Sequence, residues 1–201
     1  SGAGSLIKRA APLAASALVL AAMAAFGSWR LAQPSPPDIA GVSLRIMQPD
    51  VPQDAKFRPQ NRDAIMERYF SVSGAPGWEK ATHFIWPESP FPFLLTRDRA
   101  ALSDIGDMLG NRAVLVTGAV RARPALPGEA NNAYYNGVQV IGAQGAVLAH
   151  ADKVHLVPFG EYLPLADWLE AIGLRTFVPV PGVFTPGEKR TALKVPGLPD
   201  A

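Results

Sequence analysis

The run AAPLAASALVLAAMAAFGSW, from Ala10 to Trp29, is 20 residues long and carries no charge. At about 1.5 Å of rise per residue a helix of this length reaches roughly 30 Å, the thickness of a bilayer's hydrocarbon core. Lys8 and Arg9 precede the run, Trp29 stands at its far edge and Arg30 follows. The positive-inside tendency puts the N-terminal side in the cytoplasm and the remainder across the membrane, an asymmetry that Arg30 weakens. A secretory signal peptide is the competing interpretation. Against it, the run exceeds the usual apolar core of such a peptide. The chain also opens on SGAGSLIKR rather than Met, which points to an interior piece of a longer protein. The expected organisation is the end of a membrane domain over residues 1–31, with one transmembrane helix near 10–29. A linker over 32–41 follows, stiffened by Pro34, Pro36 and Pro37, and then a separate domain over 42–201.

Past the linker the periodicities change. Val42–Gln48 alternates as a strand, Pro59–Val72 as a helix with Pro at its first position, and Thr82–Trp86 as a short apolar strand. Ile65, Tyr69 and Val72 share one helical face. Arg97–Leu109 predicts a second helix with Ala101, Leu102, Ile105, Met108 and Leu109 as its buried stripe. Ala113–Val120 is a β-branched strand. Tyr134–Ile141 and Ala146–Ala149 predict a hairpin about Ala143-Gln144-Gly145, and a short helix is expected near Leu165–Ile172. Strand, helix, strand, helix, strand, hairpin is the order of a layered α/β domain. The formal net charge is +2 without a clustered basic face, which excludes a nucleic-acid footprint. The chain has no cysteine, so it holds no disulfide, thiolate metal site or thiol nucleophile.

Three charged residues stand where a site could form. Glu88, in FIWPESPFPF, lies two residues past the end of a buried strand, and ligand crevices in α/β folds open at the C-terminal ends of strands. Lys153 and Glu161 bracket KVHLVPFGEYLP. A lysine among apolar neighbours can hold an oxyanion, or act as a base if its pKa falls. A glutamate behind Phe159-Gly160 could orient that lysine or relay a proton. The bland alternatives are a solvated loop glutamate and a surface salt bridge worth about 0–1 kcal/mol. His83, His150 and His155 match no metal spacing and are assigned structural or surface roles. Asp50 and Asp54 look like loop and cap residues, and Asn131-Asn132 like a turn.

IWPES, VTGAV, the Tyr135-Asn136 run and KVHLVPFGEYLP together resemble the apolipoprotein N-acyltransferases of Gram-negative bacteria, over roughly Val42–Gly187. The resemblance implies the N-terminal part of a nitrilase-like αββα sandwich of the carbon–nitrogen hydrolase superfamily, preceded by a transmembrane helix. It implies Glu88 as general base, Lys153 as the oxyanion-stabilising group, Glu161 as an assisting carboxylate and Phe57 as an aromatic residue lining the acyl pocket. It also implies a cysteine nucleophile several tens of residues beyond the P-F-G-E segment. None is present, so the expectation is a fragment that cannot by itself form an acyl-enzyme. The implied reaction moves an acyl chain from a phospholipid to the diacylglyceryl-cysteine amine of an apolipoprotein through a thioester. No metal or organic cofactor is implied. The implied protein is a monomer, multi-pass in the bacterial inner membrane, with a periplasmic catalytic domain. A membrane-anchored amidase or nitrilase, and a tethered non-catalytic binding module, are the alternatives.

Overall fold

Helix α1, Ala3–Leu31, runs for 29 residues. Residues Ala10–Leu31 within it are long and apolar enough to cross a membrane, with a mean hydropathy of 1.9. Pro12 lies inside the helix and withholds one backbone N–H from its ladder. These are features of a computed structural model that describes residues 3–52, 56, 58–88, 91–128, 131–165 and 184–199. The chain divides into two compact units, Ser1–Ile39 and Ala40–Ala201.

The second unit is built on a mixed five-stranded sheet in the order β1-β2-β3-β4-β5. Its strands are β1 (Leu44–Ile46), β2 (His83–Trp86), β3 (Val114–Arg123), β4 (Ala133–Ile141) and β5 (Val147–Asp152). β1, β2 and β3 are parallel, and β4 and β5 follow antiparallel. The parallel pairs are joined by α2 (Arg62–Ser73) and α3 (Arg99–Leu109). Parallel strands need such crossovers, whereas the antiparallel pair closes through a tight turn. That turn is the expected one at Ala143–Gly145, with Gln144 in the left-handed region at φ 56°.

The register assigns each face. Phe84 pairs with Leu115, and Leu115 with Ile141, so these three side chains point the same way. All three are fully buried in one cluster with Ile65, Met66 and Tyr69 of α2 and Ala101, Ile105 and Leu109 of α3. Both helices therefore cover this face. The Trp86 indole, packed on Tyr69 at 4.7 Å between ring centroids, donates its N–H to Ser73 Oγ at 3.0 Å, so the polar tip of the ring is satisfied inside the core. Arg45, on the same face, donates to the carbonyls of Val72, Ala75 and Pro76 and ends α2 with a cation, as the helix dipole favours. Gly106 of α3 meets Gly145 so closely that an added Cβ would lie 2.3 Å from the Gly145 nitrogen.

Several boundaries differ from those predicted. The first strand shrinks from 42–48 to three residues. Pro49 offers no N–H to extend the ladder, and Asp50 turns the chain at φ 52°. The second helix starts after Arg97. Leu95–Arg97 forms a 3-10 turn, and Asp98 caps α3 by accepting from the Ala101 N–H at 2.9 Å. Ala143–Gly145 closes the hairpin, but β5 runs on past Ala149 to Asp152. The helix expected near Leu165–Ile172 lies, apart from Leu165, outside the described residues.

On the opposite face Leu44, Ile46 and Val138 remain exposed. Part of that face is covered from the C-terminal side: His83 is buried and its Nε2 donates to the Pro196 carbonyl at 2.9 Å, while Nδ1 faces Thr82 Oγ1 at 2.8 Å. His150 and His155 are exposed. Among the described residues no group of three or more His, Asp or Glu could hold a metal ion.

Candidate active site

Each strand end delivers one polar side chain. β2 stops at Trp86, Pro87 follows, and Glu88 is the next residue. β5 stops at Asp152, and the Lys153 N–H still bonds the Asn136 carbonyl at 2.7 Å, which ties the lysine to β4. Because strand side chains alternate, Lys153 and Asn136 face away from the helix-covered side, where Asp152 points.

Glu161 arrives by a tight loop rather than a strand. The Gly160 and Glu161 N–H groups both bond the Val157 carbonyl, and the Phe159 N–H bonds the Tyr162 carbonyl at 2.8 Å. Phe159 makes this bend at φ 62°, a left-handed conformation uncommon for a bulky residue. In return the Val157 N–H donates to Glu161 Oε2 at 2.8 Å. Leu156, Val157, Pro158 and Phe159 form an apolar stretch between Lys153 and Glu161. Of these Leu156 is buried, but Val157 and Phe159 are exposed, so the hydrogen-bonded turn does the spacing.

The three charged groups meet. Lys153 Nζ donates to Glu88 Oε1 at 3.2 Å and to Glu161 Oε1 at 3.0 Å. Asn136 Nδ2 donates to the same two oxygens, at 2.7 and 2.6 Å. A cavity of about 440 Å³ opens beside them, and Glu88, Asn136 and Lys153 line it together with Ile85, Val116 and Val138. Lys56 Nζ reaches the Glu88 backbone carbonyl at 2.9 Å. Asp54 and Phe57 lie outside the described residues, so the acyl-pocket assignment of Phe57 has no structural counterpart here.

The two carboxylates differ in environment. Glu161 is 11 % exposed at its side chain and Glu88 64 %. Burial pushes the Glu161 carboxyl up, but hydrogen bonds from the Val157 N–H, Asn136 and Lys153 outweigh it and hold the group below the usual range. Burial pushes the Lys153 ammonium down, yet the bonds to Glu161 and Glu88 raise it above the ordinary lysine value. Lys153 is therefore a fixed cation and not a base. Two of its three N–H bonds are occupied among the described residues, and one is left for a ligand. Glu161 is held as an anion, with three donors shared between its two oxygens. Glu88 is the more exposed of the two carboxylates, and its Oε2 has no hydrogen-bond partner among the described residues.

Asn136 had been no more than part of a recognisable run. A detectable signal was present: a polar side chain on the strand face otherwise carrying Val138 and Val140, at i, i+2 and i+4.

No protein-family model matches the chain. Sequence relatives do. It is 44 % identical over 198 residues to an apolipoprotein N-acyltransferase of Bradyrhizobium diazoefficiens, covering 95 % of this chain and 36 % of that protein. An apolipoprotein N-acyltransferase of Rhodopseudomonas palustris is 41 % identical over 90 % of this chain and 35 % of its own length. One from Sinorhizobium medicae is 41 % identical over 92 % and 36 %. The chain thus spans about a third of the length of the curated relatives it matches. Among solved structures, a mutant amidase of the nitrilase superfamily from Nesterenkonia AN1 aligns over 82 % of this chain and 55 % of that one, at 18 % identity and a TM-score of 0.48. Sequence identity sustained along nearly all of its residues makes this chain, over the third of the relatives' length that it spans, a homologue of the apolipoprotein N-acyltransferases.

Proposed function

We propose that this chain supplies the base and the oxyanion-stabilising half of an acyltransferase site. That site would move an acyl chain from a phospholipid to the N-terminal amine of an apolipoprotein's diacylglyceryl-cysteine. The observation that supports it most directly is the convergence of Glu88, Lys153 and Glu161 beside one cavity, in a chain homologous to proteins of that name.

In this mechanism Glu88 takes the proton of a cysteine thiol. The thiolate attacks the ester carbonyl of the phospholipid, and the free N–H of Lys153 binds the oxyanion that forms. The C–O bond to the lysophospholipid breaks, Glu88 returns the proton to the departing oxygen, and a thioester remains. The acceptor amine then attacks the thioester, Glu88 takes its proton, and the thiolate leaves. Glu161 stays ionised throughout and offsets the ammonium. The route requires a thiol, and the 201 residues contain none. The nucleophile is therefore assigned to sequence outside them, and the chain alone is expected not to take up acyl groups.

Both substrates are lipids, and α1 would hold the site at a membrane, raising its effective concentration of donor and acceptor. The corresponding placement is a multi-pass protein of the bacterial inner membrane with the catalytic domain in the periplasm. Incubating the full-length protein with phospholipid labelled in its acyl chain should give a hydroxylamine-labile label on a cysteine. Lys153→Ala should abolish that label, and labelling of this variant at the wild-type rate would refute the assignment.

A further inference from the structure

The charged groups of this site are arranged around a neutral one. Lys153 Nζ and Asn136 Nδ2 each bridge the same two atoms, Glu88 Oε1 and Glu161 Oε1, so the four residues close a ring of alternating donors and acceptors. Asn136 is buried, and its amide nitrogen has two hydrogens, one for each oxygen. That pattern fixes the amide orientation, because the carbonyl end facing two carboxylates would be repelled. It also brings two carboxylates close together with a single ammonium between them. Like charges so placed drive one member to take up a proton unless donors hold both anions.

We infer that Asn136 is a positioning residue for acyl transfer: it pins Glu88 through Oε1, so that Glu88 Oε2 is the atom that accepts and returns the proton. The inference rests on the function proposed above. Three observations carry it. Glu88 Oε1 already accepts from both nitrogens of the ring, and Oε2 has no hydrogen-bond partner among the described residues. Glu161 uses Oε1 toward the same two nitrogens but spends Oε2 on the Val157 N–H, so only Glu88 keeps an oxygen for the reaction. Asn136 sits in β4 between β3 and β5, so its nitrogen is held by the sheet and not by a loop. Of the other charged groups nearby, Asp152 pairs with Arg121, whereas Lys56 bonds the Glu88 backbone carbonyl and sets a second positive charge near the Glu88 carboxylate.

An aspartate of the same shape would add a third negative charge and lose the donors. Removing the donors from the ring favours protonated Glu88, so the base is ionised only at higher pH. In the full-length protein, Asn136→Ala is expected to lower kcat for thioester formation about 10- to 100-fold with KM within about twofold, on the scale of one misplaced catalytic contact. The acid limb of the pH–rate profile should move to higher pH, and further in Asn136→Asp. A merely structural role would lower the yield or Tm and leave the limb of the surviving enzyme in place; that result overturns the inference, as does an unchanged rate. If Asn136→Ala does not fold, Asn136→Asp carries the test on the same criterion. Glu88→Gln, measured alongside, separates the two levels. Full activity in Glu88→Gln refutes the proposed function and the role of Asn136 with it. Its inactivation beside unaffected Asn136 variants refutes the role of Asn136 alone.

Discussion

Asp152 and Lys153 are consecutive in the chain, yet they point to opposite faces of the sheet and end in opposite kinds of cluster. On the helix-covered side Asp152 receives Arg121 through both oxygens, at 3.1 and 2.5 Å, and the guanidinium lies 4.3 Å over the Tyr135 ring. One cation meets one anion in a bidentate fork, and nothing is left to react. On the other side one ammonium serves two carboxylates, and among the described residues both a lysine N–H and a glutamate oxygen have no partner. A saturated pair stabilises the fold. An incompletely saturated cluster beside a cavity is what chemistry requires, because a substrate can complete it.

The contrast breaks first, and by the largest margin, at Glu88. Its side chain is largely exposed, so Glu88→Gln should leave Tm within about a degree while lowering acyl transfer by about 10²–10⁴-fold, the range for loss of a general base. Equal losses of Tm and rate would erase the distinction. Glu161 should behave differently, because it is both buried and charged. Glu161→Gln is expected to cost about 1–3 kcal/mol at neutral pH, read by urea denaturation, as well as activity. Its folded pKa lies below the ordinary value of 4.5, so its contribution is fully present above that pH. It fades as pH falls through the folded pKa, because the unfolded chain then binds the proton more readily. The slope of Tm against pH on the acid side should accordingly flatten in Glu161→Gln.

Arg121→Ala is the reverse case. It strands the partly buried Asp152 and should cost about 1–2 kcal/mol by denaturation, with the rate per folded enzyme preserved. A fall in that rate beyond about threefold would mean that the two faces communicate. The smallest effect is expected at Gln139, buried on the helix side with neither end of its amide hydrogen-bonded among the described residues. Gln139→Met keeps the volume and removes that penalty, so Tm should rise by the equivalent of about 1 kcal/mol, with activity unchanged.

The elements of the fold were largely legible because their signals are local. Ile65 and Tyr69 recur at helical spacing, β3 is rich in β-branched residues, and Gln144-Gly145 turns the hairpin; each depends on a few neighbours. Boundaries moved where a tertiary partner extended or ended a ladder. Pairing of Val138 with Ala151 and Gly137 with Asp152 prolongs β5, though alternation weakens after Ala149. The site was legible in part. Glu88, Lys153 and Glu161 stood out as charges at strand ends or in a loop, whereas Asn136 is a polar residue within a strand, and its importance comes from what it touches.

From its residues alone this chain determines one helix apolar enough to span a bilayer and an α/β order of strands and helices, because hydrophobic periodicity is written within a few turns of chain. The tertiary structure decided that Glu88 and Lys153, 65 residues apart, share a hydrogen bond, and that Asn136, 48 residues from Glu88, joins them. Sheet register sets those distances, and register is a property of strands pairing across the fold, which no local stretch of sequence encodes.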